Sequence, residues 1–129
     1  MNKLDKESVI GISALLVHAA NIDEIYSEHE KDLIKDFIRS YLNDEDASKI
    51  LEKSEKIESN SNQLLNYTNI IKQNSMEIKK DIIEHLWKVI ISDKTVDQYE
   101  SNLMRRICGL IYFPDKECAE IKLKLINKK

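Results

Sequence analysis

Two glycines and a single proline in 129 residues leave this chain almost no material for tight turns. β-Sandwiches and doubly wound sheets use such residues at nearly every chain reversal, so the scarcity points to helices joined by short polar loops. Apolar residues make up 42% of the chain, and its 33% charged residues nearly cancel to a formal −3. A disordered chain would be less apolar and further from neutrality, so one folded domain is expected over residues 1–129.

Apolar spacing predicts about seven helices. The first runs from about Asp5 to Ala20, with Val9, Ile12, Leu16 and Ala19 on one face. The second opens at Ser27, where Ser27 and Glu30 have capping-box spacing, and carries Leu33, Ile34, Phe37, Ile38 and Tyr41 inward. A third, roughly Asp44 to Ser59, places Ala47, Ile50, Leu51 and Ile57 inward, and Glu58 to Asn62 reads as a polar break. A short fourth helix holds Leu64, Leu65, Tyr67, Ile70 and Ile71. The fifth, from about Ser75 to Ile91, turns Ile78, Ile82, Leu86, Val89 and Ile90 to the core. The sixth begins near Asp97 and uses Leu103, Met104, Ile107, Leu110 and Ile111, and a last helix after Pro114 carries Cys118, Ile121 and Leu125. No segment reads as a strand.

Several function classes fall away at this level. A nucleic-acid binder needs a basic face, and the net charge is negative; the lysines near the C-terminus suit a solvated helix end favoured by the dipole. Val9 to Ala20 is apolar enough to resemble a signal-peptide core, but Lys3, Asp5, Lys6 and Glu7 leave its leading segment without net positive charge. It is also too short to span a bilayer, so a buried core helix without membrane insertion and a cytoplasmic protein are expected. Cys108 and Cys118 lack metal-pair spacing and read as buried reduced thiols. There is no Gly-rich phosphate loop, CxxC or HExxH, and His18, His29 and His85 have no catalytic motif around them, so no enzyme is expected.

Sliding the chain on itself by 70 residues aligns two segments without a gap. Ile12 meets Ile82, Leu16 meets Leu86, Asp23 meets Asp93, Glu30 meets Glu100 and Leu33 meets Leu103. The identities are few, but they fall on core positions of two helices and on two loop acids. Each repeat unit, about residues 8–42 and 78–112, is therefore a helix, a loop containing Asp, and a second helix whose first turn carries Glu. Two readings of these acids stand. Glu30 and Glu100 have the spacing of capping partners for Ser27 and Asp97, with Asp23 and Asp93 bonding loop amides. Alternatively, the Asp and Glu of each hairpin converge on one cation, with loop carbonyls completing an oxygen shell. The spacing is too short for an EF-hand.

The segments ALLVHAANIDEIYSEHEKDLI and LWKVIISDKTVDQYESNLMRRI resemble the two signature segments of the TerB-like (tellurite-resistance protein B-like) family. The similarity runs from about Ser8 to Leu125. It implies an all-α fold with two pseudo-symmetric helical hairpins, an acidic surface proposed to bind metal, and a link to tellurite and chemical-stress responses. Carried over by position, the family's motif Asp falls on Asp23 and Asp93, and its helix-opening Glu on Glu30 and Glu100. The Gly that follows the Asp is replaced by Glu24 and Lys94, and the Glu expected on the preceding helix by His18 and Lys88. Lys88 and Lys94 weaken the second site as a cation site, whereas His18 with Asp23 and Glu30 suits zinc better than calcium. The expectation is thus a non-enzymatic, metal-binding accessory module, with His18, Asp23, Glu30, Asp93 and Glu100 as candidate ligands for a divalent ion. The alternative is a helical interaction scaffold whose repeat acids are caps, with a protein partner or a second copy of the chain as its target.

Overall fold

The computed structural model describes residues 4–21, 27–42, 47–60, 64–91 and 98–127, to the backbone alone at 64, 65 and 98–100. Among these residues seven helices and no strands occur: α1 (Lys6–Ala20), α2 (Glu28–Tyr41), α3 (Ala47–Asn60), α4 (Leu64–Lys72), α5 (Met76–Ile91), α6 (Gln98–Leu110) and α7 (Asp115–Asn127).

Why α1 lies at the centre follows from its composition. Asp5 starts it by accepting the Ser8 amide at 2.7 Å. Beyond that cap, Val9, Ile12, Leu15, Leu16 and Ala19 are buried, but so are Ala14, Val17 and Ala20. A helix that is apolar on all sides needs neighbours on all sides, and α1 packs against α2, α3, α4 and α5. Gly11 makes one of those contacts close: a Cβ there would lie 2.5 Å from Ile70 Cδ1 on α4. The other interior helix is α5, which buries Ile78, Ile82, Ile83, Leu86, Trp87, Val89 and Ile90 and touches α1, α2, α4 and α7.

The helices keep the register of the repeat. α5 and α6 each begin 70 residues after α1 and α2, and α7 begins 68 residues after α3. Paired core positions agree: Ile12 with Ile82, Leu16 with Leu86, Ile34 with Met104 and Phe37 with Ile107 are all buried. In both units the third helix packs on the first, α3 on α1 and α7 on α5. α4 has no counterpart and touches α1, α5 and α6.

Two details of α3 differ from the sequence expectation. Ile57 is 40% exposed, and the inward position one turn beyond Ile50 belongs to Ser54. Its hydroxyl lies 3.0 Å from the carbonyl oxygens of both Ile50 and Ile10, so a buried polar side chain ties α3 to α1. The expected polar break also begins late: Glu58, Ser59 and Asn60 are helical, and residues 61–63 lie outside the described residues. Glu58 is thereby carried on the inner side of α3 instead of in a loop.

α6 ends in a Schellman turn. Phe113 N–H donates to Cys108 O at 2.8 Å and Tyr112 N–H to Gly109 O at 3.4 Å, with Tyr112 at φ 59°. Pro114 follows and α7 departs.

Candidate functional site

The first acidic loop connects α1 to α2, and its Asp23 lies outside the described residues, as does Asp93 in the second loop. What can be built is the frame around them. On the α2 side, Ser27 and Glu30 form the reciprocal capping box. Glu30 N–H donates to Ser27 Oγ at 3.2 Å, while Glu30 Oε1 accepts the Ser27 amide at 2.8 Å and the Ser27 hydroxyl at 3.2 Å. Glu30 is buried, so one of its carboxylate oxygens is committed to fixing the entry of the chain into α2. Glu100 is the third residue of α6, the position Glu30 occupies in α2.

On the α1 side, His18 sits in the last turn and Asn21 closes the helix. Both reach the same carboxylate on α3: His18 Nδ1 lies 3.4 Å from Glu58 Oε2, and Asn21 Nδ2 donates to Glu58 Oε1 at 3.3 Å. A lone His near a helix end thus has a partner 40 residues away, and Glu58 was invisible to spacing arguments because it belongs to another helix. Beside this pair runs an open groove of about 320 Å³ lined by Val17, Asn21, Lys31, Glu55, Glu58 and Ser59.

The corresponding place in the second unit has different chemistry. Lys88 stands where His18 stands, and the cleft between α5 and α7 is lined by Glu84, Lys88, Ile121, Lys124 and Leu125. The first groove therefore carries two carboxylates against one ammonium, and the second cleft two ammoniums against one carboxylate. Among the described residues, no three His, Cys, Asp or Glu side chains come together as a metal-ligand group.

A third polar cluster bridges α2 and α5. Tyr41 donates its hydroxyl proton to Asp81 Oδ2 at 2.7 Å, and His85 Nε2 lies 3.6 Å from Asp81 Oδ1. The His85 imidazole is largely buried, edge-on to Phe37 with ring centroids 5.1 Å apart. Burial lowers its pKa below the usual value, against the opposing pull of Asp81. Tyr41 is shifted well above the ordinary phenol value, first by burial and then by its bond to Asp81.

The sequence matches the family described as "Tellurite resistance protein TerB" over residues 10–123. This chain belongs to the TerB family. No match was found among curated proteins or among solved structures. In this TerB chain the matched span begins inside α1 and ends inside α7, and it takes in the His18–Glu58 pair, the Ser27–Glu30 box and the Tyr41–Asp81–His85 cluster. Among the described residues no helix of this TerB protein is long and apolar enough to cross a membrane.

Proposed function

We propose that this TerB protein is a divalent-cation-binding accessory module, centred on the first unit and serving the tellurite resistance for which the family is named. The observation that carries the reading is the meeting of His18 and Glu58 at 3.4 Å, with His18 in the last turn of α1. Two ligands bound to a tetrahedral zinc at about 2.0–2.1 Å stand about 3.4 Å apart, so an imidazole nitrogen and a carboxylate oxygen at this separation suit the edge of such a site. Asp23, five residues after His18 and four before Ser27 in sequence, is the candidate third ligand. Glu30, which holds the entry into α2 through its cap, is a further candidate ligand. Asp93 and Glu100 form the weaker second candidate, because Lys88 and Lys94 stand where the first unit has His18 and Glu24.

Isothermal titration with zinc, calcium and manganese tests this directly. Zinc should bind most tightly, and His18→Ala or Glu58→Gln should each weaken it at least tenfold. No binding of any of the three at millimolar concentration would sink the reading. The second reading, an interaction scaffold, draws on Leu123 and Ile126, which α7 leaves exposed. A second copy of the chain is the simplest occupant of that face. Light scattering of the wild type and of Leu123→Asp tests it, and a monomer at all concentrations argues against self-association.

A further inference from the structure

α7 packs on α5 and α6 through a stripe of Cys118, Ile121 and Leu125, and turns its other face to solvent. A second apolar stripe runs along that outer face. Ala119, Leu123 and Ile126 are all exposed, Leu123 by 56%, and spacings of four and three residues set them along one side of the helix. The third helix of the first unit has no such stripe. Outward positions of α3 hold Lys49, Glu52, Lys53 and Lys56, the solvated face of an ordinary surface helix, and Ile57 is the one large apolar residue exposed there. The charges of α7 are also sorted along its length. Asp115, Glu117 and Glu120 lie in its first half with Lys116, whereas its second half holds Lys122 and Lys124 and no acid. Glu117, Glu120 and Lys124, three and four residues apart, share one flank of the outer stripe. Lys122 is on the other flank, with its ammonium over the Trp87 ring at 5.4 Å.

We propose that a second copy of this chain covers the outer face of α7 through a two-fold contact, with α7 of one copy lying antiparallel on α7 of the other. This rests on the self-association reading of the Leu123 and Ile126 face and deepens it by fixing the orientation. The charges decide that orientation. In an antiparallel pair each flank meets the same flank of its mate run in the opposite direction, so Glu117 and Glu120 of one copy face Lys124 of the other, twice by symmetry. A parallel pair would set acidic half beside acidic half and basic half beside basic half. Antiparallel packing also places opposed helix dipoles side by side. With Glu120 opposite Lys124, the two-fold axis passes midway between these positions, and Leu123 of each copy packs between Ala119 and Leu123 of the other. A small residue at that crossing lets the two helices approach closely. A 13-residue helix is only about 20 Å long, so the contact is small and the dimer weak and reversible.

Sedimentation velocity of the full chain in EDTA, at concentrations up to the millimolar range, reads the association apart from any cation. The wild type should form a dimer, and Leu123→Asp should abolish it. Glu120→Lys and Lys124→Glu should each weaken self-association roughly tenfold, because two attractive pairs become two repulsive ones. An equimolar mixture of these two variants should recover the dimer as a heterodimer, since each brings the charge that the other has lost. Circular dichroism of each variant alone reads its fold, and two variants that pair on mixing are both folded. If the wild type and Leu123→Asp behave as expected but the mixture does not pair, the antiparallel orientation is wrong and the face associates by another geometry. A wild type that stays monomeric at every concentration, or a Leu123→Asp variant that still dimerises, overturns the self-association reading of the face as well.

Discussion

The two units of this TerB protein share a core and little else. Aligned by 70 residues, Leu16 and Leu86, Ile12 and Ile82, and Phe37 and Ile107 are buried alike. Away from those stripes the same scaffold positions carry different chemistry. Gly11 and Leu15 of α1 correspond to Asp81 and His85 of α5, Val17 to Trp87, His18 to Lys88, Ile38 to Cys108, and Ser48 to Cys118. The first unit puts its His18–Glu58 pair at the C-terminal end of α1; the second holds a part-buried His–Asp pair on α5 and buries an indole and two thiols. Helical phase is kept by the shared core because each inward side chain is fixed by neighbours from several helices. The divergence reaches into the core as well as the helix ends, since Leu15, Val17 and Ile38 are buried, as are Trp87 and Cys108 at the matched positions.

The largest expected effect tests the shared part. Leu16→Ala and Leu86→Ala remove matched, fully buried side chains, and each should cost roughly 2–5 kcal/mol of unfolding free energy. Urea denaturation reads both, and a cost below about half a kcal/mol at either position breaks the equivalence. The next effect tests the divergence. If the first unit is the cation site, zinc at a hundredfold excess over its Kd should stabilise the wild type by about 2.7 kcal/mol. Asp23→Asn with Glu30→Gln should abolish that increment, and Asp93→Asn with Glu100→Gln should leave most of it. Each variant is compared with and without zinc, since Glu30→Gln also loosens the cap.

A smaller effect should come from His85, whose place in the first unit is taken by Leu15. In the unfolded chain this imidazole takes up a proton near pH 6.5. In the folded chain burial holds its pKa lower, with Lys88 acting in the same direction and Asp81, Glu84 and Asp36 against it. Between the two pKa values the unfolded chain binds more protons, so stability rises with pH through that window and is lost as pH falls below about 6.5. Urea midpoints across this range should show the slope, and His85→Leu should flatten it; an unchanged slope would mean that His85 is as protonated folded as unfolded. The smallest effect is at Tyr112. Its φ of 59° is unfavourable for a side-chain-bearing residue, whereas the matched Leu42 ends α2 at φ −129°. Tyr112→Gly should stabilise by roughly 0.5–1 kcal/mol, less whatever Lys72 gains by lying over the ring. A thermal melt that falls instead would show that the ring contact outweighs the strain.

Residue spacing carried the helices and most of the core, because a 3.6-residue period reports which side of a helix faces inward without reference to any partner. The Ser27–Glu30 box was legible for the same reason, being a contact within one turn. Ile57 was misplaced because a polar residue, Ser54, satisfies its hydroxyl on carbonyls of two helices and so tolerates the buried position. The contacts that give the molecule its chemistry were not legible. His18 with Glu58, Tyr41 with Asp81, and Trp87 with Cys118 join helices 31 to 40 residues apart, and no local pattern records such meetings. The chain reversal between α6 and α7 was equally hidden, because it turns at Tyr112 and a tyrosine does not advertise a positive φ.

The enclosure of α1 on every side has a consequence for how the chain is made. Its cover includes α5, which begins 70 residues later. At about 5–20 residues per second, a ribosome needs on the order of 4–14 s to supply that stretch. Chain collapse takes far less than a millisecond, so for most of its synthesis the molecule presents an apolar rod with part of its sheath missing. The nascent chain should therefore attract a chaperone until α5 emerges, and slowing translation between α3 and α5 should lower the yield of soluble protein more than slowing it after α5.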